Sequence, residues 1–240
     1  MKKNRLIIEK IKEKKFAILS FFVCVVFMFS ISFAYYGMVE NWVSLHNGIT
    51  IVLDAGHGGR DGGSIGANGS IEKDLNLEYT LALRDKLVKA GYKVVLTRKN
   101  DEGLYSPLAK NKKQSEMKER LRVIKQANPN LVISIHMNSF TDKSAYGAMT
   151  YYRKDDESGK NVADLIQNSL STYCGARFKS GKIGDYYVLN SNYYSAVLIE
   201  CGFISNPEEE RKLKTLEYRK KIVDAIYSGI LLYFGNNSNV

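Results

Sequence analysis

Cysteine and histidine are both scarce in this chain of 240 residues, three of each. Cys24 falls inside an apolar run, so the body of the chain keeps only Cys174 and Cys201, enough for one bridge. If the body lies outside the cell that bridge can form; the other reading is two small buried thiols. No internal repeat is visible, and no second domain. No face combines clustered basic and aromatic residues, which argues against a nucleic-acid binder. The glycine-rich stretch at 56–63 lacks the third glycine of a dinucleotide fingerprint, and no Gly-Lys-Ser/Thr follows it, which excludes a phosphate-cradling loop. At 45% hydrophobic and 25% charged residues the composition is that of a globular protein, which excludes wholesale disorder.

The net charge of +10 is unevenly placed. Residues 1–15 hold seven Lys/Arg against two Glu, half of the total. The mild basicity left for the body suits an anionic polymer such as cell wall. Phe16 to Tyr36 then carries no charge over 21 residues, the length of a bilayer-spanning helix. The basic flank should stay cytoplasmic and send everything after it outside. Two readings fit: an uncleaved membrane anchor, or a cleaved signal ending near Ser32-Phe33-Ala34. Cys24 lacks the small residues that precede a lipoprotein cysteine. The organisation expected is a basic export segment or anchor at 1–36, a tether at 37–48 and a catalytic domain at 49–235.

Within that domain strands and helices alternate. Strands are expected at 49–53, 92–98, 131–135, 147–152, 186–189 and 196–200. Helices are expected from Asp74, as cap, to Ala90 with Gly91 beyond, through Met117, Leu121 and Ile124 to Asn128-Pro129, over 158–173 and over 218–234. The stretch 99–113 reads as a polar loop, and Asn206-Pro207-Glu208-Glu209 as a capping box. Strands apolar on both faces imply an α/β fold: one three-layer domain, a mostly parallel, mixed sheet of about six strands, helices on both faces.

Three of the buried strands run into ionisable residues: the first into Asp54 and His57, LVISI into His136, and AVLI into Glu200. Open α/β sheets place their sites outside the carboxyl ends of strands, so these residues should meet. Two imidazoles and one carboxylate, with a fourth position open to water, make a common catalytic zinc arrangement; His57, Glu72 and His136 fit it. The competing reading is a pair of structural histidines. Glu200 is either a general base or a structural group bonded to backbone amides. Asn138 and Arg98 are secondary candidates, Asn138 for orienting a ligand or substrate, Arg98 as ion-pair partner or substrate clamp. Asp101 is a third. Tyr151, Tyr152, Tyr193 and Tyr194 either line a groove or pack in the sheet.

The stretches LDAGHGGRDGG, EKDLNL, GYKVVLTR, ISIHMNS and LIECGFISNPEE, in this order, resemble the zinc-dependent N-acetylmuramoyl-L-alanine amidases over residues 49–234. The resemblance implies a phosphorylase/hydrolase-like fold, zinc (Zn2+) held by His57, Glu72 and His136, and Glu200 as the catalytic glutamate. It implies peptidoglycan as substrate, cut between muramic acid and L-alanine. Within the family the chain is most similar to the germination-specific amidases of spore formers. That likeness implies action in the spore cortex, or between forespore and mother cell, on the way to muramic δ-lactam. The 64 residues from His136 to Glu200 leave little room for a regulatory helix. A separate regulatory protein partner is therefore expected, with contact to the membrane through the N-terminal segment if that is uncleaved. Two other functions stay open: a zinc peptidase acting on stem peptides, and a silent wall-binding or regulatory homologue.

Overall fold

A computed structural model describes residues 14, 16, 18–35, 48–191 and 193–237. The expected tether, except Gly48, and the basic run, except Lys14, lie outside the described residues. The chain divides into two units, Met1–Leu45 and His46–Val240. In the first, helix α1 (Ile18–Tyr35), with mean hydropathy 2.3, is long and apolar enough to cross a membrane.

The second unit runs β1 (Thr50–Ala55), α2 (Glu72–Lys89), β2 (Lys93–Leu96), α3 (Lys112–Ala127), β3 (Leu131–Asn138), β4 (Met149–Tyr152), α4 (Glu157–Cys174), β5 (Lys182–Ile183), α5 (Tyr187–Asn190), β6 (Ala196–Phe203), α6 (Pro207–Leu213) and α7 (Leu216–Asn237). The strands form one six-stranded sheet in the order β2-β1-β3-β6-β4-β5. Every pairing is parallel except β4 against β6.

Side chains alternate across a strand with period two, and each face has its own cover. Ile51, Leu53, Ile133, Ile135, Val197 and Ile199 pack with α2, α4 and α7. Val52, Val132 and Leu198 face the other way, against Ile124 of α3 and Val188 and Leu189 of α5. This is the expected mixed α/β sheet with helices on both faces. The same alternation turns Asp54, Ser134, His136 and Glu200 towards the α3 side. Asp54 is the register partner of Ser134, and His136 of Glu200.

At that face lies a buried ion pair. Arg120 of α3 and Asp54 of β1 are each 2% exposed. Glu116, one turn back on α3, takes a second guanidinium nitrogen at 2.8 Å. Thr97 and Ser134 donate their hydroxyls to Asp54, each at 2.7 Å. Burial pushes the Asp54 carboxyl up, but Arg120 and then the two hydroxyls outweigh it and hold it at about 2.

Several local expectations need correction. Helix α2 starts at Glu72 after Ile71, with Asp74 inside its first turn and no side-chain cap. No cap is needed: Ser64 and Gly62 carbonyls accept the amides of Glu72 and Lys73 at 3.0 and 3.1 Å. Helix α3 starts at Lys112, within the stretch expected to be loop, because Asn111 accepts the Gln114 amide. The strand expected at 186–189 is the short helix α5. Val188 and Leu189 are adjacent and both buried, which strand alternation forbids on a one-sided edge. The edge strand is β5 instead. Asn206 does cap α6, but Glu209 does not close the box; its carboxylate accepts the Gly147 and Phe203 amides at 2.7 and 3.0 Å. Cys174 and Cys201 are free thiols.

Asp54→Asn should destabilise the fold by about 3–5 kcal/mol, since it strips the buried guanidinium of its carboxylate partner. Urea unfolding at neutral pH measures this, and a loss under about 0.5 kcal/mol, the scale of a surface change, would contradict it. The sign with pH follows from the lowered carboxyl. Its contribution is complete above about pH 4, where the unfolded residue is also ionised, and is lost as pH falls towards 2. That part of the acid limb should flatten in the variant.

Candidate metal centre

The loop leaving β1 carries His57, which sits at φ 61°, a left-handed conformation unusual for a residue with a side chain. Its carbonyl accepts from Arg120 Nη2, and the Ala55 carbonyl accepts from Arg120 Nη1 at 2.8 Å. Asp61 Oδ2 stands 3.0 Å from His57 Nδ1, near enough for an ion pair but off the line of a hydrogen bond. The other ring nitrogen, Nε2, lies 3.2 Å from Glu72 Oε1. His136, near the end of β3, brings its Nδ1 within 3.0 Å of the same oxygen. The second oxygen of Glu72 accepts the Ser64 amide at 2.8 Å, which fixes the carboxylate.

Two glycines make this convergence possible. A Cβ on Gly56 would fall 2.2 Å from the His136 ring. One on Gly63, at φ 69°, would fall 2.5 Å from Glu72 Oε2 and 2.7 Å from the His57 ring. Any side chain at either position would push a candidate ligand aside.

The three residues form a group that can hold a metal ion, with one donor atom from each lying within 4.8 Å of the others. A tetrahedral metal with bonds of about 2.0–2.1 Å needs donor atoms about 3.3 Å apart. The distances of 3.2 and 3.0 Å from Glu72 Oε1 to the imidazole nitrogens match that edge. Without a metal the same place attracts protons. Burial alone would lower His57, yet the bond and charge of Glu72, then Asp61, carry it to about 9. Burial would raise Glu72, yet His136 and His57 hold it well below the usual carboxylate range. A bound cation would take the place of those protons.

Glu200 lies beside this group, on β6, in register with His136. It is 7% exposed, and its Oε2 is buried with no hydrogen-bond partner among the described residues. Of the two readings of this carboxylate, bonding to backbone amides is absent at that oxygen. Burial pushes the carboxyl up to about 7, opposed by the charge of His136 and aided by that of Glu72. A cleft of ≈ 140 Å³ opens on the two histidines, walled by Lys113 and Met117 of α3 and by Tyr186, Tyr187 and Val188.

Arg98 is buried and donates to four carbonyls: Ala55 and Gly56 at 3.0 Å, Lys73 at 2.7 Å and Asn100 at 3.1 Å. Carbonyls replace the expected ion-pair partner, and the guanidinium ties the end of β1 to the start of α2. Asp101 accepts from the Gly59 amide at 2.9 Å and from Lys73 Nζ at 2.7 Å, so it fastens the glycine loop. Asn138 ends β3 half-buried, its carbonyl accepting the Ile204 amide at 2.8 Å. Of the four tyrosines, Tyr151 stacks edge-on against Tyr186 at 5.2 Å, and burial and then Glu200 raise the hydroxyls of both. Tyr152 is buried and Tyr193 is exposed. Sequence reasoning passed over Arg120, Glu116 and Asp61. A signal existed for the first two: with Ile124 they form a stripe at spacing four, charge on the buried face of a helix.

The family model described as N-acetylmuramoyl-L-alanine amidase, Amidase_3, matches residues 51–231. The germination-specific N-acetylmuramoyl-L-alanine amidase of Bacillus subtilis (strain 168) is 33% identical over 228 residues, 92% of this chain and 96% of that protein. LytC, an N-acetylmuramoyl-L-alanine amidase of the same organism, is 34% identical over 78% of this chain but only 36% of its own length. Among solved structures, the CwlD amidase from Clostridioides difficile, in complex with the GerS lipoprotein, superposes with a TM-score of 0.75 at 38% identity. That match covers 78% of this chain and 99% of the solved one. The matched residues run from the first strand into the last helix and take in His57, Glu72, His136 and Glu200, and this chain belongs to the N-acetylmuramoyl-L-alanine amidase family.

Proposed function

We propose that the chain hydrolyses the amide between N-acetylmuramic acid and L-alanine in peptidoglycan, with zinc held by His57, Glu72 and His136. The observation that carries this reading is Glu200: a buried carboxylate with an unpartnered oxygen, in register with one member of the ligand group. Zinc at that place supplies Lewis acidity, polarising a carbonyl and making a water more acidic. Glu200 Oε2 accepts a proton from the attacking water as the carbon–oxygen bond forms. As the carbon–nitrogen bond breaks, Glu200 returns that proton to the departing L-alanine nitrogen. In the metal-free site burial raises this carboxyl above the ordinary glutamate range, which makes it the stronger base for that proton. The walls of the cleft orient the muramoyl peptide, and Tyr186 and Val188 keep water from its apolar side.

The spore cortex is the proposed setting, with muramic δ-lactam as the downstream product. The germination-specific relative matches this chain nearly end to end, whereas LytC is much longer. A lipoprotein regulator is the proposed partner, by likeness to the solved complex. The proposed order is a basic export segment or anchor, a tether and one catalytic domain, placing the enzyme outside the cytoplasm.

Digestion of purified muropeptides followed by mass spectrometry tests the reaction. Free glycan and intact stem peptide are expected; shortened peptides would mean a peptidase, and no product a silent homologue. The roles of the residues separate in variants. His57→Ala, Glu72→Ala and His136→Ala should each lose most of about one zinc per chain, because three ligands are the minimum for a catalytic site. Glu200→Gln should keep zinc and melting temperature while turnover falls about 10²–10⁴-fold. Loss of zinc from that variant would make Glu200 a ligand, and near-normal turnover would remove it from proton transfer. Deleting residues 1–36 should trap the protein in the cytoplasm, as read by fractionation; normal export of the truncated chain would refute the role of α1.

A further inference from the structure

Arg120 does more than neutralise Asp54. Its side chain is 2% exposed, and two of its donors go to backbone carbonyls on either side of Gly56: Nη1 to Ala55 and Nη2 to His57. Those carbonyls mark the place where the strand ends and the chain turns left-handed at φ 61°. A non-glycine residue holds that conformation only where its surroundings over-determine it. Among the described residues no other side chain donates to the His57 carbonyl. The guanidinium is itself pinned by Asp54 on one nitrogen and by Glu116 on the other. So the chain of contacts runs from strand β1 and helix α3, through one planar group, to the backbone of a candidate metal ligand.

We propose that Arg120 is a positioning residue: it holds His57 in the left-handed conformation that aims Nε2 at the metal site. The inference rests on the zinc reading above. A lysine in its place keeps a charge beside Asp54 and Glu116, but a single ammonium cannot span both carboxylates and both carbonyls. A merely structural arginine would, when replaced, lower the melting temperature and leave the zinc affinity of the folded protein unchanged.

The test is zinc affinity of the full chain, wild type against Arg120→Lys, by competition with a chromogenic chelator, with circular dichroism to verify folding. A folded Arg120→Lys should bind zinc about 10- to 100-fold more weakly, the size of effect typical of groups that orient metal ligands. Equal affinity in wild type and folded variant would overturn the role of Arg120 and leave the zinc reading standing. A wild-type chain that takes up no zinc overturns both. If Arg120→Lys does not fold, Glu116→Gln carries the test, since it loosens the nitrogen that grips His57. A smaller loss of affinity in the same direction supports the inference, and wild-type affinity overturns it.

Discussion

One buried guanidinium, Arg120 against Asp54, sits where the sheet gives way to the site. Taking both charges out of water is costly, and a buried pair adds little net stability over an apolar pair of the same shape. Its value here is positional. Asp54 is fixed by the sheet, through Ser134 on the neighbouring strand and Thr97 just beyond β2. Arg120 is fixed by its helix, with Glu116 one turn away. Each element therefore limits the other, and the loop that carries His57 inherits the precision of both.

Around that anchor the titrations of two carboxylates of the same chemical type are shifted in opposite directions. Glu72 accepts from a backbone amide and faces two imidazoles, which keep it an anion. Glu200 has no partner on one oxygen among the described residues, and burial lifts it to about 7. The first keeps its charge, and the second takes up a proton more readily. Environment alone sets the two carboxyls apart. Strand register does the remaining work, since His136 and Glu200 are neighbours across β3 and β6 by pleat and pairing.

The parts of this design that sequence made legible are those set by period and strand ends. The apolar runs before Asp54, His136 and Glu200 located the sheet edge, and the scarcity of histidine drew notice to His57 and His136. What escaped was set by contacts distant in sequence. Asp74 looked like a helix cap because nothing local says that the Ser64 and Gly62 carbonyls receive the first amides of α2. The start of α3 was lost in a run of lysines, and Arg120, which is buried, drew no notice. Tyr186 to Leu189 has the residues of a strand, yet packing of Val188 and Leu189 on the α3 side makes it a turn of helix. Arg98 looked like an ion-pair partner, but carbonyls from two elements meet it instead.

A crystal structure of the chain grown with zinc, with anomalous scattering recorded at the zinc edge, tests the proposed centre most directly. One peak is expected about 2.0–2.2 Å from His57 Nε2, His136 Nδ1 and an oxygen of Glu72, with both oxygens of Glu200 outside bonding distance. A peak coordinated by Glu200, or a zinc ion bound elsewhere with these three side chains left as they stand, would contradict it.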